Sequence, residues 1–210
     1  MDKKKNISMA VIKRLPKYHR YLTELLKNDV DRISSKELSE KIGFTASQIR
    51  QDLNCFGDFG QQGYGYNVSE LYNQIRNILG LTKAYGTIIV GAGNIGQAIA
   101  NYIRFDKLGF KIQSLFDANP RLFGLRLRDI EIRDVDLLPE YLKENHIDIG
   151  IICVPRNSAQ KVCDVLVKNG VKGIWNFAPV DLVAPDDIKI EDVHLSDSLL
   201  TLSCLLNDIE

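Results

Sequence analysis

Gly91, Gly93 and Gly96 stand in the order G-x-G-x-x-G, and Asp117 follows 21 residues after the last of them. Each of these residue types does a separate job around a dinucleotide. Gly91 permits a tight turn, Gly93 lets backbone approach a pyrophosphate, and Gly96 brings a helix against a strand. Ala92, Asn94 and Ile95 fill the gaps, so that the backbone N–H groups of the loop and the positive end of the following helix face the phosphates. The carboxylate of Asp117 accepts hydrogen bonds from adenosine ribose hydroxyls and repels a 2′-phosphate, so the spacing predicts NAD(H) over NADP(H).

That chemistry needs a strand before the turn and a helix after it. Thr87-Ile-Ile-Val90 is an apolar, β-branched run, and Gln97-Ala-Ile-Ala-Asn-Tyr-Ile103 continues in a helical pattern. Lys111–Asp117 reads as the next strand, ending in the acid. Beyond it come a short strand at Ile130–Arg133, a helix at Leu137–Asn145 and a buried strand at Ile147–Val154. A helix at Asn157–Asn169 and strands at Gly173–Phe177 and Ile188–Val193 complete the alternation. This order predicts a doubly wound, mostly parallel α/β sheet of Rossmann type. Ligands of such sheets sit at the carboxyl ends of strands, which marks Val154, Pro155, Asn176, Phe177, Ala178 and Pro179 for the nicotinamide side. Pro155 and Pro179 also read as simple strand terminators.

The front of the chain has a different pattern. From Pro16, a first-turn residue type, apolar residues recur at Tyr18, Tyr21, Leu22, Leu25 and Leu26 with helical spacing. Ser34-Ser-Lys-Glu37 is a capping-box signature opening a short helix, Ser35–Ile42, that stops at Gly43. Thr45-Ala-Ser-Gln48 is a second one, opening a helix to about Cys55. Two short capped helices joined by a glycine turn form a helix-turn-helix, whose second helix offers its N-terminal residues to base edges in the major groove. Ser47, Gln48, Arg50 and Gln51 occupy those positions, and Gln and Arg can read adenine and guanine bidentately. Phe56–Tyr66 holds four glycines and four aromatics in 11 residues, which predicts a β-hairpin wing. A helix over Ser69–Leu81 and a short link, Thr82–Gly86, follow.

Overall charge is zero, but unevenly spread. Residues 1–85 carry 14 Lys+Arg against 9 Asp+Glu (+5), and residues 86–210 carry 13 against 18 (−5). A basic front suits a polyanionic partner. The four cysteines, 55, 153, 163 and 204, form no C-x-x-C and have no histidine cluster nearby, so neither a zinc site nor a disulfide framework is expected. Cys153 and Cys163 read as buried thiols. No apolar run reaches membrane-spanning length and no secretory segment opens the chain, which predicts a cytoplasmic protein without a membrane partner.

The division expected is 1–82 for a winged-helix DNA-binding domain, 83–194 for a Rossmann NAD(H)-binding domain and 195–210 for a C-terminal helix. In that helix Leu195, Leu199, Leu202, Leu206 and Ile209 make an apolar seam, with Leu200 and Leu205 widening it. A second subunit is the natural cover, and a dimer suits a two-fold operator. A catalytic set is missing from the pattern. About thirty residues follow the last strand of the Gly173–Phe177 region, the three histidines are scattered, and Tyr102 and Lys107 fall outside any Y-x-x-x-K. The expectation is therefore a sensor and no enzyme: nucleotide binding shifts a conformational balance. A 100-fold change in DNA affinity needs only about 2.7 kcal/mol of differential binding.

Several segments together resemble the Rex family of bacterial redox-sensing transcriptional repressors, over nearly the whole chain. They are Arg14–Leu22, Ser34–Leu38, Gln48-Ile-Arg50, Phe56-Gly57, Gly63–Tyr66, the Gly91–Gly96 loop and Trp175–Pro179. The resemblance implies a homodimer with exchanged C-terminal helices, bound to A/T-rich palindromic operators of fermentation and respiration genes and released by NADH. It implies Arg20 at a domain interface and Tyr102 beside the nicotinamide, the two acting as an interdomain switch. Arg14, Lys17, Gln61, Gln62 and Tyr64 join the DNA-facing set. This chain departs from the family pattern in three places. Arg50-Gln51 replaces paired arginines, Gln61-Gln62 replaces basic wing residues, and His194 stands where some members have an aspartate. Fewer phosphate-facing charges predict weaker, less salt-sensitive DNA binding or a shifted operator preference. Two other functions fit the same elements: a CoA- or nucleotide-binding domain joined to a protein-interaction module, and a small NAD-dependent oxidoreductase.

Overall fold

Apolar residues three and four apart in the front of the chain close into a helical core, and the computed structural model describes residues 7–56, 64–102 and 104–207. The chain divides into two compact units, Met1–Lys83 and Ala84–Glu210. In the first, α1 (Met9–Lys27) leads to β1 (Arg32–Ile33), α2 (Ser35–Ile42) and α3 (Ala46–Asn54), and then to β2 (Tyr66–Asn67) and α4 (Val68–Ile78).

α1 begins seven residues earlier than Pro16. The Ser8 side chain accepts from the Val11 amide, and Val11 and Leu15 extend the buried stripe of Tyr18, Leu22 and Leu25 backward. Pro16 is thus an interior residue, not a first-turn one, and the Ile12 carbonyl lacks the amide it would otherwise receive. The capping box of α2 is complete: Ser34 Oγ accepts from the Glu37 amide and Glu37 accepts from the Ser34 amide, while Gly43 ends the helix at φ +72°. Thr45 caps α3 by accepting from the Gln48 amide. Leu38, Ile42, Ile49 and Leu53 pack with Leu15, Tyr18 and Leu22 and with Leu71 and Ile75 of α4, which fixes α3 against the other helices.

Most of the predicted hairpin, 57–63 with Gln61 and Gln62, lies outside the described residues. Its distal strand, β2, pairs antiparallel with β1, Ile33 opposite Tyr66. The pairing holds Tyr66 and Asn67, which end the segment predicted as a wing, against the strand that precedes α2.

The second unit comprises β3 (Tyr85–Val90), α5 (Asn94–Ala100), α6 (Arg104–Lys107), β4 (Phe110–Asp117), β5 (Arg126–Leu127), β6 (Ile130–Asp134), α7 (Leu138–Glu144) and β7 (Ile149–Ile152). It ends with α8 (Arg156–Lys168), β8 (Gly173–Asn176), β9 (Lys189–Asp192) and α9 (Leu195–Leu206). The sheet runs β5-β6-β4-β3-β7-β8-β9, with every pair parallel except β5 with β6. Side chains alternate across it. Ile88, Val90, Phe116 and Ile152 face the layer of Leu138, Leu142 and Val162, and Ile89, Leu115 and Ile151 face Ile99 and Ala100. The link between the units is shorter than expected, because Tyr85 and Gly86 already belong to β3.

From β3 the chain first builds toward β4 and β6, then returns to place β7 on the opposite side of β3. Strand order reverses there, and a doubly wound sheet opens a crevice at such a point.

Candidate functional site

β3 ends in the glycine turn, at the crevice. Gly91 has φ +102°, and a Cβ there would run into the Cys153 carbonyl. A Cβ on Gly96 would meet the Gly91 carbonyl, so α5 could not start so close to β3. Around Gly93 nothing lies within 4 Å of the added carbon. The three glycines therefore have distinct constraints: conformation, helix contact and an open approach for a ligand. The Gly91 amide donates to Phe116 O at 2.7 Å, which fixes the turn, and α5 begins with no side-chain cap on its first amides.

A cavity of about 730 Å³ opens at the turn. Gly91, Gly93, Ile95, Asp117, Val154, Pro155, Phe177 and Pro179 line it, as expected from strand ends. Ala92 and Gly96 are buried behind it, Asn94 lies on exposed backbone beside it, and none of the three contributes to the lining. Asn176 and Ala178 are also buried and away from the wall. Asn176 donates to Val180 O and Asp192 Oδ1 and accepts from the Ala178 amide, so its polar atoms are committed inside the unit.

Asp117 is more than a ribose acceptor in waiting. Its Oδ2 accepts from the Ala92 amide at 2.6 Å and its Oδ1 from the Asn119 amide at 2.8 Å. A carboxylate has about four acceptor positions, so these two bonds leave room for ribose hydroxyls while aiming the group. The acid thereby ties the glycine turn to the end of β4.

The far end of the cavity comes from elements that carry no motif. Val135, Asp136, Leu138 and Pro139 follow β6, and Ser158, Lys161, Val162 and Val165 lie on one side of α8. The spacing of the last four places them on successive turns of one helix face. Cys153 also lines the cavity, half-buried, and burial pushes its thiol up to about 12, so it stays protonated at neutral pH. Cys163 is fully buried and likewise raised by burial.

Tyr102 stands outside the lining with half its surface exposed. Its ring is 4.8 Å from Phe105, Phe105 is 5.6 Å from Trp175, and Trp175 is 4.7 Å from Phe177 on the cavity wall. A row of four aromatics thus leads from the cavity to Tyr102. Arg20 belongs to the other unit, where it is exposed on α1.

In the first unit α3 presents two faces. Ile49, Asp52 and Leu53 are buried, whereas Ser47, Arg50 and Gln51 are exposed and Gln48 is half-buried. Arg50 Nη1 donates to Ser35 Oγ at 2.9 Å, at the start of α2, and keeps its other donors. Lys17 is exposed with its ammonium 4.8 Å from the Phe44 ring, and Tyr64 is exposed.

Arg14 has an internal partner that its place in the sequence does not suggest. Its Nε and Nη2 both reach the Asp52 carboxylate at 2.6 Å, and Tyr18 Oη donates to the same group at 2.9 Å. The bond to Asp52 raises the Arg14 pKa, while burial, reinforced by Asp52, raises that of Tyr18. Asp52 is 2% exposed, a buried charge made tolerable by three donors, and removing one partner of such a pair costs about 3–5 kcal/mol. Arg14 is therefore first a clamp that fixes α3 to α1.

α9 is uncovered. Leu195, Leu199, Leu200, Leu202, Leu205 and Leu206 are between 51 and 74% exposed, and the helix has no buried residue. Ile209 lies outside the described residues. His194, at the start of α9, bonds through Nε2 to Asp181 Oδ1 at 2.9 Å, and that carboxylate raises its pKa. Among the described residues no His/Cys/Asp/Glu group could hold a metal, and no helix is long and apolar enough to cross a membrane.

Two family models match, one within the first unit and one almost wholly within the second. A "CoA binding domain" matches residues 82–180 and a "Putative DNA-binding protein N-terminus" matches residues 6–54. The redox-sensing transcriptional repressor Rex of Clostridium kluyveri is 79% identical, and that of Clostridium botulinum 75%, over all 210 residues and the full length of each relative. Among solved structures, RSP in complex with β-NAD+ and operator DNA is 64% identical with a TM-score of 0.92, covering 97% of this chain and 94% of the other. RSP in complex with β-NADH is 61% identical with a TM-score of 0.90, covering 97% and 96%. A third structure, of 62% identity and TM-score 0.90, describes RSP as a Rex-family repressor. With full-length identity at this level, the chain belongs to the Rex family of redox-sensing transcriptional repressors.

Proposed function

We propose that this chain is a DNA-binding repressor that reads the NADH/NAD+ balance, with NADH as the ligand that releases it from a palindromic, A/T-rich operator in the cytoplasm. The observation that carries the reading is the cavity behind a complete glycine turn and ribose acid, in a chain 64% identical to a protein described with β-NAD+ and operator DNA. The pyrophosphate lies along Gly91–Gly96, the adenosine ribose meets Asp117, and the adenine occupies the space between Leu138 and Val162. The nicotinamide points to Val154, Pro155, Phe177 and Pro179. Chemistry is not required of any of these groups; their contacts stabilise one conformation over the other.

Ser47, Gln48, Arg50 and Gln51 meet bases or phosphates from α3, with Lys17 and Tyr64 beside them. The uncovered leucines of α9 pack on a second copy, which gives two recognition helices on one two-fold axis. Each leucine so buried contributes roughly 1.5–3 kcal/mol.

Trp175, the single tryptophan, packs against Phe177 of the cavity wall, within energy-transfer range of a ligand there. NADH should quench its emission by energy transfer, with NADPH binding at least about tenfold weaker because of the Asp117 charge. The same titration separates this reading from the CoA alternative that the 82–180 match raises. CoA competing with NADH at equal concentration would favour that alternative.

Arg50→Ala tests the other unit. The side chain is exposed and its bond to Ser35 is a surface one, so the fold should stand. Operator affinity should fall by about 1–3 kcal/mol while the NADH titration stays unchanged. Unchanged operator affinity would remove Arg50 from the interface.

A further inference from the structure

Asn176 is fully buried at the carboxyl end of β8, yet it lies outside the cavity lining. Its Nδ2 donates to Val180 O and to Asp192 Oδ1, each at 2.7 Å, and its Oδ1 accepts from the Ala178 amide at 3.0 Å. The turn over 176–180 is therefore wound around this amide, and the two neighbours of Ala178, Phe177 and Pro179, are cavity wall. On its other side the amide holds Asp192, the last residue of β9 and two residues before His194, where α9 starts.

Backbone bonds stiffen the same junction. Phe177 N donates to Ile152 O and Val193 N to Asn176 O, both at 2.8 Å. A second tie runs on the surface, where His194 bonds Asp181, one residue past the turn. A group pressing on Phe177 or Pro179 cannot move the turn without straining the bonds that Asn176 makes to Val180 and Asp192. Buried, fully satisfied networks of this kind transmit displacement because a partial arrangement leaves polar atoms unpaired.

We propose that Asn176 is a positioning residue that couples the wall of the nucleotide cavity to the root of the apolar C-terminal helix through its bond to Asp192. The inference rests on the proposed function, in which the cavity holds NADH and α9 joins two copies. It assigns the route by which occupancy reaches the helix that sets the geometry of the pair.

The test uses the full chain and two quantities: the NADH dissociation constant from Trp175 energy transfer, and the ratio of operator dissociation constants with and without saturating NADH. Asn176→Asp keeps an acceptor for the Ala178 amide but sets two carboxylates against each other at 176 and 192. It should cut the release ratio by about tenfold while NADH affinity stays within about threefold. Adding Asp192→Asn restores a donor–acceptor pair between the two positions, with its direction reversed, and should bring the ratio back to within about threefold of the original. Because the double variant still offers Val180 O no donor, recovery isolates the bond to position 192.

Should Asn176→Asp fail to fold, Asp192→Ala on the half-exposed edge strand breaks the same bond and should reduce the ratio likewise. A full release ratio in either single variant would overturn the inference. So would proportionate loss of NADH affinity and release, which would mark a wall residue only, or a double variant that stays uncoupled. An unaltered chain whose operator binding ignores NADH would instead overturn the functional reading beneath it.

Discussion

Gly93→Asp should abolish the NADH response and leave operator binding in place. The added Cβ meets nothing within 4 Å, and Gly93 has φ −74°, so neither space nor backbone conformation opposes a side chain. Its carboxylate would stand where the pyrophosphate approaches. Two like charges about 4 Å apart at a protein surface repel by roughly 4 kcal/mol at an effective dielectric of 20. NADH affinity should therefore fall at least about 100-fold, which corresponds to 2.7 kcal/mol. Operator affinity without nucleotide should stay within about threefold, because the substitution lies in the second unit and α3 belongs to the first. Fluorescence titration and anisotropy read the two quantities separately. Equal loss of both would mean that the glycine turn shapes the DNA-binding state itself, and NADH binding at full strength would remove the turn from the site. Gly96→Asp would not make the same test, because its Cβ collides with the Gly91 carbonyl and disturbs the fold.

The second large effect is expected from α9. Leu199→Asp with Leu202→Asp replaces two apolar side chains that stand outside the core of one chain, 67 and 51% exposed. A single copy should fold as before and bind NADH as before. Association should fail, since two charges would have to enter an apolar seam, at several kcal/mol each. Operator affinity should then fall by about 10²–10⁴-fold, because the second half-site is no longer engaged by a linked partner. Light scattering gives the mass and anisotropy the affinity. A variant that remains a dimer would show that the copies meet elsewhere.

The contrast between the two predictions follows from what each residue touches. Gly93 has a cavity in front of it and Leu199 has solvent, so neither carries the core of its unit. Asp52 is the opposite case. It is buried under Arg14 and Tyr18, and substitution there would unsettle the placement of α3 before any DNA contact could be measured.

Much of the fold was legible because local chemistry and long-range packing agree. The Ser34–Glu37 capping box and Gly43 bound α2 where the pattern predicts, and the alternation of Ile88, Ile89 and Val90 reports a strand buried on both faces. The glycine turn and Asp117 were legible for the same reason, since a strand and a helix had to flank them. The start of α1 was misplaced because Pro16 imitates a first-turn residue, while the weaker signal of Ser8 with Val11 and Leu15 sets the true beginning. α6, with four residues, and β5, with two, are too short to establish a period.

The site was legible in its motif and obscure in its surroundings. Leu138, Lys161 and Val162 carry no signature and join the cavity only because the sheet brings β6, β7 and α8 together. Arg14 and Asp52 lie 38 residues apart, and nothing in their types announces that one neutralises the other. Asn176 has the same character. At a strand end it reads as a ligand contact, but parallel register opposite Asp192 turns it inward.

The same chain should bind operator DNA and nucleotide in opposition. Fluorescence anisotropy of a labelled A/T-rich palindromic duplex, titrated with the full chain alone and with NAD+, NADH or NADPH, tests it most directly. Tight binding that NADH reverses, and that NAD+ and NADPH barely change, is the expected result. Operator binding indifferent to all three nucleotides would contradict it.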